Sequence, residues 1–168
     1  MHLIGCAHRE LKNFNEAIIC FQEARKMFKL EKEVIHIARC DQKIASCYVE
    51  IGEGEKALEA ARKAIDVFET AHDHTRETFA LFEFGKAEVL LGKHEDGLAT
   101  LDGVLQIIAE DEPKDFEFIL DIETRMVDVM RQLGRMDEAN EVERRLASVR
   151  EALKEDEAPN EDGFPAVN

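Results

Sequence analysis

A short turn recurs four times in this sequence, and its spacing constrains the fold more than any other feature. Leu11-Lys12-Asn13-Phe14-Asn15-Glu16-Ala17 is echoed by Ile51-Gly52-Glu53-Gly54-Glu55-Lys56-Ala57, by Leu91-Gly92-Lys93-His94-Glu95-Asp96-Gly97 and by Leu133-Gly134-Arg135-Met136-Asp137-Glu138-Ala139. Each has an apolar residue, usually a glycine, a polar pair or triple, and a closing small residue. The closing residues Ala17, Ala57, Gly97 and Ala139 lie 40, 40 and 42 positions apart. A period of that size marks stacked supersecondary units, none of which can bury its apolar face alone.

The residues flanking each turn have helical spacing. Ala17, Phe21, Ala24 and Phe28 follow the first turn, and Ala57, Ala61, Ala64 and Phe68 the second. Small residues at Gly5, Ala45 and Gly85 let paired helices approach closely. Gly52, Gly92 and Gly134 suit the left-handed conformation that ends a helix, and Asn13 with Glu16 fits a capping box for the next one. The pattern predicts helices over 1–11, 14–29, 31–51, 54–72, 75–91, 94–110, 114–133 and 136–154. Pro113 suits the first turn of the seventh. Residues 1–154 therefore read as one repeat domain, and residues 155–168 as an acidic disordered tail.

Composition excludes several roles. Twenty-two Lys and Arg against 37 Asp and Glu leave the 168-residue chain at −15. Nucleic-acid phosphates and anionic membrane surfaces both demand a basic partner. No apolar run approaches the ~20 residues of a membrane span. Leu3-Ile4-Gly5-Cys6 matches a lipoprotein cleavage box, but the stretch before it is too short for a signal sequence. Cys6, Cys20, Cys40 and Cys47 lie in helical patterns and form no CxxC, which suits reduced thiols and a cytoplasmic location. Phosphate-loop, dinucleotide, zinc-protease and nucleophile-elbow motifs are absent. His72-Asp73-His74 with His94 reads as polar loop and helix start rather than a metal site, because structural zinc wants four convergent ligands. Cys6 and His8 point to different sides of a helix. We expect no catalytic residues, metal or cofactor.

The turn-and-small-residue pattern resembles the tetratricopeptide repeat family over residues 1 to about 153. That resemblance implies an all-α, right-handed superhelical solenoid of about four helix-turn-helix units. The family spacing is ~34 residues, so 40 to 42 implies helices longer by a turn or two, as in variants resembling kinesin light chains and polarity adaptors. Tryptophan is absent, only Tyr48 takes the aromatic place late in a first helix, and Glu143 stands where a large apolar residue is usual. The last helix is polar, as a solenoid's closing cap is. We therefore expect a natural C-terminal end, while the first helix leaves its own end open to further repeats.

The resemblance also implies a concave groove lined by the first helix of each unit. Carried over by alignment, that lining includes His2, Cys6 and Arg9, then Arg39, Gln42, Lys43 and Ser46, then Phe79, Phe82, Glu83 and Lys86, and finally Asp121, Arg125, Asp128 and Arg131. It leans basic in an acidic chain. The competing reading is chance assortment with helix-surface ion pairs. Phe79 and Phe82 would be an aromatic anchor if open to the groove; burial against a neighbour is the alternative, favoured for Phe79. The family's two-carboxylate clamp lacks its matching Lys and Asn here. We expect a non-enzymatic module binding a peptide or partner helix through Arg39, Gln42, Lys43, Ser46, Phe79, Phe82, Lys86, Arg125 and Asp128. The alternative is a ligand- or peptide-sensing regulatory domain of a larger regulator.

Overall fold

A computed structural model describes residues 1–109 and 115–157, and the side chains of residues 1–108 and 115–151. Among these residues the secondary structure is helical throughout, with no strand. The helices are α1 (His2–Glu10), α2 (Phe14–Glu31), α3 (Val34–Glu50), α4 (Gly54–Thr70), α5 (His74–Leu90), α6 (His94–Ala109), α7 (Phe116–Gln132) and α8 (Met136–Glu157). Pro113 and residues 158–168 lie outside the described residues.

One hydrogen-bond scheme builds the turns. At the first, Asn13 N–H donates to His8 C=O over 2.8 Å and Lys12 N–H to Arg9 C=O over 2.9 Å. The same pair of bonds recurs at Glu53 and Gly52, Lys93 and Gly92, and Arg135 and Gly134. It recurs as well in the connections between repeats, at Glu33 and Lys32 and at Asp73 and His72. This 6→1 and 5→2 pairing satisfies the last carbonyls of each helix and requires a left-handed residue. Gly52, Gly92 and Gly134 take it with φ of 77°, 76° and 75°; Lys12, Lys32 and His72 take it with φ of 60°, 60° and 55°.

The scheme corrects two expectations. Asn13 stands at the start of α2, but its side chain makes no capping bond. A capping box would also need the Asn13 N–H, which the His8 carbonyl already occupies. The third helix begins at Val34 rather than residue 31, because α2 runs to Glu31 and Lys32 makes the left-handed turn.

The chain divides into two compact units, Met1–Ile122 and a second that begins at Glu123. In the first, Ala17, Ile18 and Phe21 of α2 pack with Ile44, Ala45 and Cys47 of α3 and with Ala60 and Ala61 of α4. Ala38, Ala64, Phe68 and Ala80 form the next cluster. Phe21 and Phe68 are fully buried. The helices approach closely where the closing small residues stand. A Cβ on Gly97 would come within 2.6 Å of Val89 Cγ2 and 2.9 Å of the Gly85 carbonyl oxygen. In the second unit, Met126, Val127, Val129 and Met130 of α7 are buried, as are Ala139 and Leu146 of α8.

Candidate functional site

In the first unit, α1, α3 and α5 bring a subset of the predicted lining residues near one another, around Lys43. Lys43 of α3 feels the charges of Arg9 and Cys6 on α1 and of Glu83 on α5. Burial, then Arg9, pushes the Lys43 ammonium below its usual range, although Cys6 and Glu83 partly offset this. His2 of α1 is also pushed down, by burial first and then by Arg39, Lys43 and His36. Cys6 Sγ lies 3.9 Å from His2 Nδ1. A cationic cluster therefore spans α1 and α3.

Its charges differ in how they are neutralised. Arg9 donates to Glu10 over 2.8 Å. Among the described residues, neither Arg39 nor Lys43 has a carboxylate within ion-pair distance. Both are half-buried, where water screens charge less than at the open surface. Gln42 and Ser46 lie beside them in sequence but are buried, at 8% and 9% exposure.

The α5 part of the face differs from the sequence expectation. Lys86 is buried, holds Glu83 in an ion pair of 2.8 Å and sits 4.5 Å above the Phe82 ring. It is an internal partner of α5, with its charge already balanced. Phe82 is only 4% exposed and meets Phe118 edge to face, ring centroids 5.2 Å apart. Phe79 meets the same ring at a tilt of 35°, with centroids 4.5 Å apart. The open aromatic anchor expected at Phe82 is thus corrected: Phe118 of α7 already fills that place. Arg125 and Asp128 are exposed on α7 in the second unit, and Arg125 has interactions of its own.

Sequence reasoning missed three further features. Asp41 of α3, 6% exposed, pairs with Arg25 of α2 at 2.9 Å. Burial outweighs that guanidinium, so the Asp41 carboxyl stands above its usual range. Glu123 of α7, also buried, pairs with Arg145 of α8, and Arg131 reaches Glu143 at 2.7 Å. Glu143, which breaks the apolar pattern, is exposed here and makes this cross-helix pair. His72 forms a left-handed turn, and His74 approaches Glu77 at 3.3 Å. Among the described residues, no three His, Cys, Asp or Glu side chains are grouped to hold a metal ion. No described helix is long and apolar enough to cross a membrane.

Comparison with known proteins agrees with this geometry. A tetratricopeptide-repeat family model matches residues 1–27. No curated protein matches the chain in sequence. A crystal structure of the nearly identical TPR-like repeats of a candidate kinesin light chain from Podosopora anserina superposes with a TM-score of 0.70 at 14% identity, covering 90% of this chain and 74% of that one. A variant of those repeats with one glutamine changed to methionine gives 0.71, again at 14% identity, covering 94% and 76%. The chain therefore has the helical repeat fold of the tetratricopeptide type, matched in sequence at its first hairpin and in structure over nine-tenths of its length or more.

Proposed function

We propose that this chain is a non-enzymatic interaction module that receives an acidic segment of a partner protein across α1 and α3, with Arg39 and Lys43 as its anion contacts. Repeat folds of this type generally serve protein–protein interaction. One observation carries the reading: in a chain of net charge −15, two half-buried cations have no carboxylate within ion-pair distance among the described residues. Burying a cation beside other cations costs free energy unless an anion arrives. A partner carboxylate would supply that anion.

The test is an NMR titration with synthetic peptides rich in Glu and Asp. Resonance shifts should concentrate around Arg39, Lys43 and Ser46, weaken with added salt, and vanish in Arg39→Glu and Lys43→Glu. Shifts spread over the outer faces of α2 and α4, or binding unchanged by both reversals, would refute the proposal.

A further inference from the structure

Arg39, Gln42, Lys43 and Ser46 stand at i, i+3, i+4 and i+7 of α3, so they share one face of the helix. Both stacking neighbours of α3 reach this face: Arg9 of α1 and Glu83 of α5 each act on the Lys43 charge. Glu83 is already held by Lys86 at 2.8 Å. Arg9 brings a further cation, itself paired with Glu10 at 2.8 Å. The charges of Arg39 and Lys43 therefore stay unanswered by carboxylates of either neighbour.

The two uncharged members of the stripe point the same way. Gln42 and Ser46 are 8% and 9% exposed, and among the described residues neither side chain has a hydrogen-bond partner. Neither the Gln42 amide nor the Ser46 hydroxyl is fully enclosed, so both can be reached from the surface. A largely buried donor left without an acceptor costs free energy. The occupant of this stripe must supply negative charge and several acceptors together. A carboxylate offers one charge and two oxygens. A phosphoryl group offers about −1.5 to −2 at pH 7 and three acceptor oxygens, and a guanidinium meets it with two parallel bonds.

We infer that the anion received at Arg39 and Lys43 is the phosphoryl group of a phosphorylated Ser or Thr in the partner's acidic segment, with Gln42 and Ser46 donating to its oxygens. The inference rests on the acidic-segment reading and names the chemical group that the site takes.

Three labelled peptides test it: one acidic sequence with phosphoserine at its centre, the same sequence with serine there, and the same with glutamate. In fluorescence anisotropy with the full chain, at pH 7 and constant salt, the phosphoserine peptide should bind about tenfold or more tighter than either other. Arg39→Gln and Lys43→Gln should each erase most of that advantage. Arg39→Lys, which keeps the charge but loses the two-bond fork, should erase part of it. Ser46→Ala should reduce it about threefold, and Lys26→Gln, on exposed α2 surface, should leave all three affinities unchanged. Circular dichroism verifies that each variant keeps its helices. If the glutamate peptide binds as tightly as the phosphoserine one and still depends on Arg39 and Lys43, the phosphoryl assignment fails and the acidic-segment reading stands. If none of the three binds at about millimolar concentration, both fail. Inorganic phosphate binding as tightly as the phosphoserine peptide would assign the site to the free ion and overturn the partner segment.

Discussion

At the residue scale, the six turns form a controlled comparison. They share one hydrogen-bond scheme, yet three place glycine at the left-handed position and three place Lys12, Lys32 or His72 there. A side chain at that conformation costs roughly 1 kcal/mol that glycine does not. Lys12→Gly should therefore raise stability by about 0.5–1 kcal/mol in urea denaturation, and Gly52→Ala should lower it by a similar amount. The opposite signs are diagnostic, since nothing lies within 4 Å of a Cβ at Gly52. Gly97 answers to a different constraint. Its backbone is not left-handed, but Val89 and the Gly85 carbonyl leave no room for a methyl group. Gly97→Ala should cost about 1–3 kcal/mol through overpacking, although Ala17, Ala57 and Ala139 fill the matching places. Cysteines differ by the same logic of local surroundings. Burial raises the thiols of Cys40 and Cys47 to about 11, whereas Cys6 and Cys20 are partly exposed. A thiol-specific reagent at pH 8 should label two cysteines quickly and two only on unfolding.

At the scale of the element, cross-helix ion pairs show which charges stabilise the hairpins. Arg145 is well exposed but its partner Glu123 is not. Arg145→Ala should therefore destabilise by about 1–3 kcal/mol, because it strands a buried carboxylate. Lys63→Ala, which removes the pair with exposed Glu59 and a more distant charge acting on Asp41, should lower thermal stability by much less than Arg145→Ala does. These pairs also show how far the sequence can be read. The repeating turns reveal each helical hairpin because their signal is local: glycine, a polar pair, a small residue and helical periodicity. The turns at Lys32 and His72 carry no glycine, so the sequence pattern places the start of α3 three residues early. Glu143 looks like a defect in sequence because its partner Arg131 lies on another helix. Phe82 looks available because Phe118, 36 residues later, enters only through tertiary packing. Helical periodicity can nominate Arg39, Lys43 and Lys86 together as groove cations. It cannot separate them, because neutralisation depends on side-chain rotamers: Lys86 turns onto Glu83 and the Phe82 ring, and Lys43 has no such partner among the described residues.

At the scale of the whole molecule, the buried titratable groups set opposite trends with pH. For Cys40 and Cys47 the folded-state value exceeds the unfolded one near 8.5. The native state then holds more protons than the unfolded chain, and stability falls as pH rises from about 8.5 through 11. Lys43 works the other way. Its folded-state value is lowered, so the native state holds fewer protons, and the Lys43 penalty is present at neutral pH and relieved as pH rises toward 10. Substituting Lys43 should expose this penalty. Lys43→Met keeps the length and apolar stem, removes the charge, and leaves Arg39 with one less cationic neighbour. Its thermal midpoint at pH 7 should rise, by the equivalent of about 0.5–2 kcal/mol, and the gain should shrink toward pH 10, where the wild-type lysine loses its proton. Binding of an acidic peptide by the same variant should weaken. A stabilised variant with unweakened peptide binding would remove Lys43 from the anion site, and a destabilised one would show that its ammonium has a compensating contact. Gain in stability with loss of binding is the combination expected of a cation retained for its partner rather than for the fold.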